Sequence, residues 1–244
     1  MNQTNKKIVC SSKPVVCFIS PMLFLYLSPD SDKPSGGAQR QQSMISSELA
    51  TRGYDVSAIV ADYGQPDRAI YSDVELIKGV PETVSGIPSV LGALYSLARA
   101  MLKSSADVFL VRGAPRLATA ACLIAKALGK QFIFRLANDS DVDLSYLRSR
   151  YSPLFIHFYR AVVRRADAVI AQTERQQQLL REHFNTEVSL VPNGYDLPPE
   201  RIVRSHEKRN HVLWVGSSDP EKKNPYLFLQ LANGLPDLAF TMIS

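Results

Sequence analysis

The chain has 244 residues, 45% of them hydrophobic and 21% charged, with a formal charge of +5 and a pI of about 9.1. This is globular composition at a length that builds a real core, as one large domain or as one full domain plus a fragment. The mildly basic balance suits polyanions such as nucleotide diphosphates or anionic lipid headgroups. No Lys/Arg run and no aromatics interleaved with basic residues are present, which argues against nucleic acid.

In chain order, residues 15–27 are strongly apolar and follow Lys6, Lys7 and Lys13, as a secretory leader would. The run is shorter than the about 20 residues of a bilayer span. Pro21 interrupts it and no small-residue cleavage pattern follows. A buried strand over 15–20 with a loop behind it accounts for the same residues. Spacing then predicts a helix over 38–52, with Ile45 and Leu49 four apart and Gly53 where helices end. A strand over 56–60, a loop over 62–73 and a short strand over 74–77 follow.

Residues 87–103 read as a helix, with Leu91, Leu94, Tyr95, Ala98, Met101 and Leu102 at spacings of three and four. The alternation continues with a strand over 108–111, a helix over 117–128 ended by Gly129, and a strand over 132–136. A helix over 154–165, a strand over 168–171, a helix over 174–183 and a strand over 188–191 complete it. Such β–α–β alternation with apolar strands predicts an α/β fold, a doubly wound parallel sheet covered by helices on both faces. Residues 197–210 carry Pro198, Pro199 and a cluster of charges, which is linker composition. The pattern restarts with a strand over 211–216, a loop over 220–224, a helix over 226–233 and a strand over 238–243. The expected domains are therefore 1–196, a linker over 197–210, and an incomplete second domain over 211–244. One β–α–β unit is too small for a core of its own, so it must pack on the first domain, pair with another chain, or stay poorly ordered.

Cys10, Cys17 and Cys122 are an odd set without metal-like spacing. Cys17 and Cys122 lie in apolar runs and read as small core residues, which favours a reducing, cytoplasmic setting over a disulfide scaffold. His157, His183, His206 and His211 form no ligand spacing, and no metal site is expected. Ser35-Gly36-Gly37-Ala38-Gln39-Arg40-Gln41 lies between the first strand and the first helix. Glycines there let a ligand approach the backbone at a helix N-terminus, or simply make a tight turn. No Gly-x-Gly-x-x-Gly dinucleotide fingerprint is present, which argues against a dinucleotide-dependent epimerase or a similar Rossmann-like protein.

Residues 35–60 (SGGAQRQQSMISSELATRGYDVSAIV) resemble the opening of family 4 glycosyltransferases, which have the two-Rossmann-domain GT-B fold. Three further stretches resemble that family in order. They are ADAVIAQTE over 166–174, VPNGYD over 191–196, and Val212–Gly216 with Lys222, Lys223 and Pro225 followed by Leu235-Pro236-Asp237.

The resemblance implies a retaining transfer of a hexosyl group from a nucleotide sugar to a glycan or lipid-linked acceptor. No cofactor or metal is implied; the nucleotide sugar is a substrate. Gly36 and Gly37 match the loop that lies against the diphosphate, and Lys222 or Lys223 matches the lysine that neutralises the departing nucleotide diphosphate. Arg112 is expected on the same nucleotide-sugar side. Asn138 and Asp139 are the expected catalytic residues. Like Asp141 and Asp143, they follow the 132–136 strand, at whose end Arg135 lies and where polar side chains either contact the acceptor or cap a turn. Asn193 and Gly194 are expected to shape the interdomain turn.

Two departures from the family stand out. Ser217 replaces an arginine that many members carry, and the family's second-domain pair of glutamates separated by seven residues is absent from residues 211–244, where Glu221 is the one glutamate. The chain alone is therefore expected to be inactive or nearly so. The alternative is a truncated or split product that binds acceptor or pairs with a second polypeptide. The apolar face and basic ends of the 87–103 helix also allow peripheral docking at the inner face of a membrane, although a core helix explains the same residues.

Overall fold

The computed structural model describes residues 13–29, 31, 36–81, 86–195, 209, 211–216 and 223–243, without the side chains of 87 and 88. Cys10, Ser35, Asp196, Ser217, Lys222 and nearly all of the expected linker lie outside the described residues. Met1–Gly194 and Tyr195–Ser244 form separate units.

The first unit holds one eight-stranded sheet in the order β3-β4-β2-β1-β5-β6-β7-β8. Its left half comprises β1 (Val16–Ile19), β2 (Val56–Val60), β3 (Arg68–Tyr71) and β4 (Val74–Lys78). Its right half comprises β5 (Val108–Arg112), β6 (Gln131–Arg135), β7 (Ala168–Ala171) and β8 (Ser189–Leu190). All residues of β1 and β2 are buried, as two-sided cover demands. Period-two alternation sorts their side chains: Cys17 and Ile19 enter one core, Val16 and Phe18 the other.

The helices cover both faces. Ile45, Leu49 and Ala50 of α2 (Gly37–Thr51) pack on the Phe18 side, where Phe24 of the short α1 (Phe24–Leu27) also sits. The opposite face carries α3 (Gly86–Lys103), α4 (Pro115–Ala127), α6 (Pro153–Arg165) and α7 (Glu174–Phe184). Leu97, Ala121, Tyr159 and Phe184 bring these helices onto Phe109, Phe132 and Phe134. Short α5 (Leu144–Arg150) precedes α6. Cys17 and Cys122 are buried core residues, and burial pushes both thiols up to about 11.

Two expectations need correction. The 62–73 segment is not all loop, because β3 lies within it and pairs antiparallel with β4 at the sheet edge. Its Arg-Ala-Ile-Tyr pattern is half exposed, so no continuous apolar run announces it. Ser72 and Asp73, at φ of 50° and 59°, make the two-residue turn such a hairpin favours. The sheet is accordingly mostly parallel, not wholly so. Short helices α1 and α5 were also not expected from the spacing.

The amino edge of the sheet is tied by a repeated device. Asp107 Oδ2 accepts the Val15 N–H at 3.1 Å while Oδ1 meets Lys130 Nζ at 3.0 Å. Asp167 Oδ2 likewise accepts the Phe132 N–H at 2.6 Å and meets Lys126 Nζ at 2.5 Å. Each Asp directly precedes its own strand and locks the start of a strand beside it.

The second unit contains β9 (His211–Val215), α8 (Pro225–Gly234) and β10 (Ala239–Ile243). β9 and β10 pair in parallel from His211–Ala239 to Val215–Ile243. Phe228 of α8 lies between Trp214 and Phe240, at ring separations of 6.2 and 5.4 Å. No residue of α8 is buried.

Candidate functional site

In the first unit the chain leaves β1 for α2 and β2 on one side, and returns on the other side as β5. That reversal opens a crevice at the carboxyl ends of β1 and β5, the place where ligands bind in open parallel sheets. A pocket of about 360 Å³ occupies it, with Ser20, Ala38, Gln39, Gln42, Tyr63 and Arg112 in its wall.

Gly36 is the N-cap of α2 and provides no side-chain cap, so the first N–H groups of a 15-residue helix are left to other partners. A Cβ on Gly36 would stand 2.5 Å from the Tyr26 hydroxyl oxygen and 2.7 Å from Gln39 Oε1, so a side chain there displaces both. Around Gly37 a Cβ would meet nothing within 4 Å, which leaves open space beside the helix start. Gln42, one turn along, accepts from the Ser20 hydroxyl at 2.7 Å, and its buried Nε2 has no hydrogen-bond partner among the described residues.

Arg112 closes β5 and spans this crevice. It donates through Nη1 to Ala38 O at 2.8 Å and through Nη2 to Gln172 Oε1 at 3.0 Å. Gln172 in turn donates to Leu136 O, so the first turn of α2 is joined to the ends of β5, β6 and β7. Gly113 follows at φ 58°, where a Cβ would lie 2.8 Å from that of Ala137, so only glycine lets the two strand exits touch. Arg135 closes β6 in register with Arg112. It is 5% exposed and donates through Nη2 to Asn193 Oδ1 at 3.1 Å. Burial pulls its pKa below the usual arginine value. Gln41 of α2 donates to Gly194 O, so the Pro-Asn-Gly turn is held from two sides.

The acidic residues after β6 divide by task. Asp141 is buried and its Oδ2 accepts from Ala137 N at 2.7 Å and Asn138 N at 3.0 Å. Burial raises its pKa, opposed by those two N–H groups and by the Arg112 charge. Asp143 caps α5 by accepting from Ser145 N at 2.8 Å and Tyr146 N at 3.3 Å, which holds its carboxyl below the usual range. Turn-capping is thus what these two do. Asn138 is exposed at the same strand end, and Asp139 meets Arg175 at 3.3 Å with side chains 45% and 70% exposed.

In the second unit Lys223 is exposed between β9 and α8, and Asn224 caps α8 by accepting from Leu227 N at 3.3 Å. Lys222 lies outside the described residues. The structure thus gathers Gly36, Gly37 and Arg112 at one crevice, with Asn138 and Asp139 on the neighbouring strand end. Sequence reasoning passed over Ser20, Gln42 and the Arg112–Arg135 register. The signal for the last was present: Val-Phe-Leu-Val-Arg and Gln-Phe-Ile-Phe-Arg are five-residue strands that both end in arginine. Among the described residues no His/Cys/Asp/Glu cluster could hold a metal, and no helix is long and apolar enough to cross a membrane.

Comparison with known proteins agrees with this architecture. The model of the glycosyl transferase 4-like domain matches residues 36–194. No curated protein sequence matches the chain. Among solved structures, the sucrose-phosphate synthase of Thermosynechococcus elongatus superposes with a TM-score of 0.60 at 14% identity, over 95% of this chain and 71% of that one. MurG of Acinetobacter baumannii gives 0.56 at 17%, over 94% and 57%. Arabidopsis thaliana UGT89C1, solved with UDP, gives 0.52 at 13%, over 94% and 66%. The chain therefore spans between 57% and 71% of the length of these structures. With the family model covering residues 36–194, which hold every strand of the first sheet except β1 and the crevice residues Gly36, Gly37 and Arg112, the chain belongs to the glycosyl transferase 4-like family and has the fold of a GT-B glycosyltransferase.

Proposed function

We propose that the protein transfers a hexosyl group from a nucleotide sugar to a glycan or lipid-linked acceptor, with retention of anomeric configuration and no metal or other cofactor. The supporting observation is the glycine-led, side-chain-uncapped N-terminus of α2 opening into the β1/β5 crevice, inside the segment that matches the family. An acceptor hydroxyl attacks the anomeric carbon, the bond to the diphosphate oxygen breaks, and its electron pair leaves with the nucleotide. Developing charge on that oxygen is stabilised by fixed N–H groups and cations, here the start of α2, Arg112 and the Lys222–Lys223 pair. Asn138 and Asp139 contact the acceptor hydroxyl, and Asp139 takes its proton.

The protein isolated from its own cells is expected to transfer labelled hexose from a uridine, guanosine or adenosine diphosphate sugar. Asp139→Asn should lower kcat/KM by about 100-fold or more. No transfer from any of the three donors overturns the reading. Residues 1–244 by themselves are proposed to be inactive or nearly so, because the second unit offers one helix and two strands among its described residues to build a donor site, and a second polypeptide is proposed to complete it. Measurable transfer by the purified 244-residue chain would sink that part.

A cytoplasmic protein docked at the inner face of a membrane fits α3. One side of this helix is in the core through Leu97, Ala100 and Met101, while Leu91, Tyr95 and Leu102 are exposed beside Arg99 and Lys103. Apolar groups flanked by cations are what an anionic interface attracts. Co-sedimentation with anionic phospholipid vesicles should fall at least several-fold in Leu91→Glu/Tyr95→Glu, and unchanged sedimentation removes the membrane from the proposal.

A further inference from the structure

We propose that Arg112 and Arg135, side by side at the ends of β5 and β6 with Asn193 beside them, form a subsite for an oxyanion, a phosphate or carboxylate carried by one of the reactants. Assigning the oxyanion to a reactant rests on the transferase reading; the binding itself does not.

Register places the two arginines together. Arg112 pairs with Arg135 across adjacent parallel strands, so their side chains leave the same face of the sheet about 5 Å apart at the backbone. That face is the α2 side, as the bond of Arg112 to Ala38 shows and as Leu110 and Ile133, each two residues earlier in the same strands, confirm by packing on the α2 side. Like charges this close repel, and the repulsion grows where water is excluded.

Arg135 is the more telling of the two. It is 5% exposed, its buried Nε has no hydrogen-bond partner among the described residues, and its hydrogen bond through Nη2 goes to a neutral amide. No carboxylate lies within ion-pair distance of it among the described residues. The acids nearby are already engaged: Asp141 accepts two backbone N–H groups, and Asp139 faces Arg175. A buried cation without a counter-charge is costly. A structural arginine serving only to hold the Asn193 turn would gain nothing from that charge, since a neutral donor makes the same bond. An oxyanion resolves the imbalance, because a guanidinium fork binds phosphate or carboxylate through paired, charge-assisted hydrogen bonds. Arg112 lies in the wall of the pocket of about 360 Å³, so an anion entering there meets it directly, beside the N–H groups of α2.

Thermal unfolding of the 244-residue chain, titrated with inorganic phosphate and with pyrophosphate against chloride at matched ionic strength, tests this. The midpoint of the wild type should rise saturably with either anion, by mass action on the folded state. In Arg135→Met the phosphate concentration for half-effect should increase about tenfold or more, as expected when a charged hydrogen bond is lost. Without phosphate, Arg135→Met should melt no lower than wild type, which a purely structural arginine would not allow. Arg135→Lys, which keeps the charge but not the fork, covers the case of a methionine variant that fails to fold; its half-effect concentration should also rise. A wild-type midpoint indifferent to both anions, or an Arg135→Lys chain that responds as wild type does, overturns the proposal.

The source of the oxyanion is read from competition. Displacement of phosphate by uridine or adenosine diphosphate assigns the subsite to the donor's diphosphate, and simultaneous binding assigns it to an anionic acceptor. Phosphate binding by a protein that transfers no sugar would sink the transferase reading alone, and transfer without phosphate binding would sink this inference alone.

Discussion

Strands β1 and β9 are both short, largely apolar, and paired in parallel with another strand. β1 lies between β2 and β5 with helices on both faces, and all of its residues are buried. β9 pairs with β10 alone among the described residues, and none of its residues is buried. Their helices differ in the same way. α4 buries Ala118, Ala121, Cys122 and Ala125, whereas α8 leaves Leu227, Leu229 and Leu231 about half exposed or more. The two units share one pattern of strand, helix and strand, so the pattern alone does not create a core. A parallel sheet becomes a core when both edges of a strand and both faces of the sheet are covered, and only the first unit reaches that state.

The sharpest way to break this comparison is to remove one aromatic ring from each unit. Phe134 is fully buried and packs edge-on against Tyr159 at 6.1 Å. Phe134→Ala should destabilise the main urea transition by about 3–5 kcal/mol, the cost of a large ring lost from a closed core. Phe228→Ala removes a ring that touches Trp214 and Phe240 in a unit with no buried helix residue. It should leave that transition within about 0.5 kcal/mol. Equal shifts from the two variants would mean that the units unfold as one and that the first unit's core is no more closed than the second's.

Elements with a strong period were legible in the sequence, and those whose identity depends on a neighbour were not. α2, α4, α6 and α7 follow three-and-four spacing, and β1, β2 and β6 are apolar runs, so their existence needs no partner to be read. β3 is a strand only because β4 offers it an edge, and its exposed Ile70 and Arg68 conceal that. The site divides similarly. Gly36 and Gly37 could be placed at a helix start from local pattern, and the Asn-Asp cluster could be placed after β6. Local pattern left open which carboxylates cap turns. Asp141 and Asp143 differ from Asp139 only in which N–H groups the folded chain brings to them. Arg112 and Arg135 are 23 residues apart in sequence and become neighbours through strand register, which is a property of the sheet.

A smaller effect sharpens the comparison at the amino edge. Asp107 and Asp167 each tie a strand start in the first unit, while Asp237, two residues before β10 in the second, is exposed. The Val15 N–H and Lys130 hold Asp107 below the usual carboxylate value of 3.8. Burial pushes Asp167 up, but Lys126 and the Phe132 N–H outweigh it and its net shift is also downward. A carboxylate lowered on folding contributes stability that is fully present above its unfolded value and is lost as pH falls through the folded one. Wild type should therefore lose stability as pH drops below about 4. In Asp107→Asn/Asp167→Asn the loss over that window should be shallower, because two of the protons that drive it no longer bind. At pH 7 the double variant should be less stable by about 1–2 kcal/mol in total, since both ion pairs are partly exposed and screened. Asp237→Asn should leave the pH 7 stability within about 0.5 kcal/mol of wild type. An acid slope as steep in the double variant as in wild type would show that the repeated Asp device does not fasten the edge of the sheet, and would leave the two-faced core alone as what sets the first unit apart.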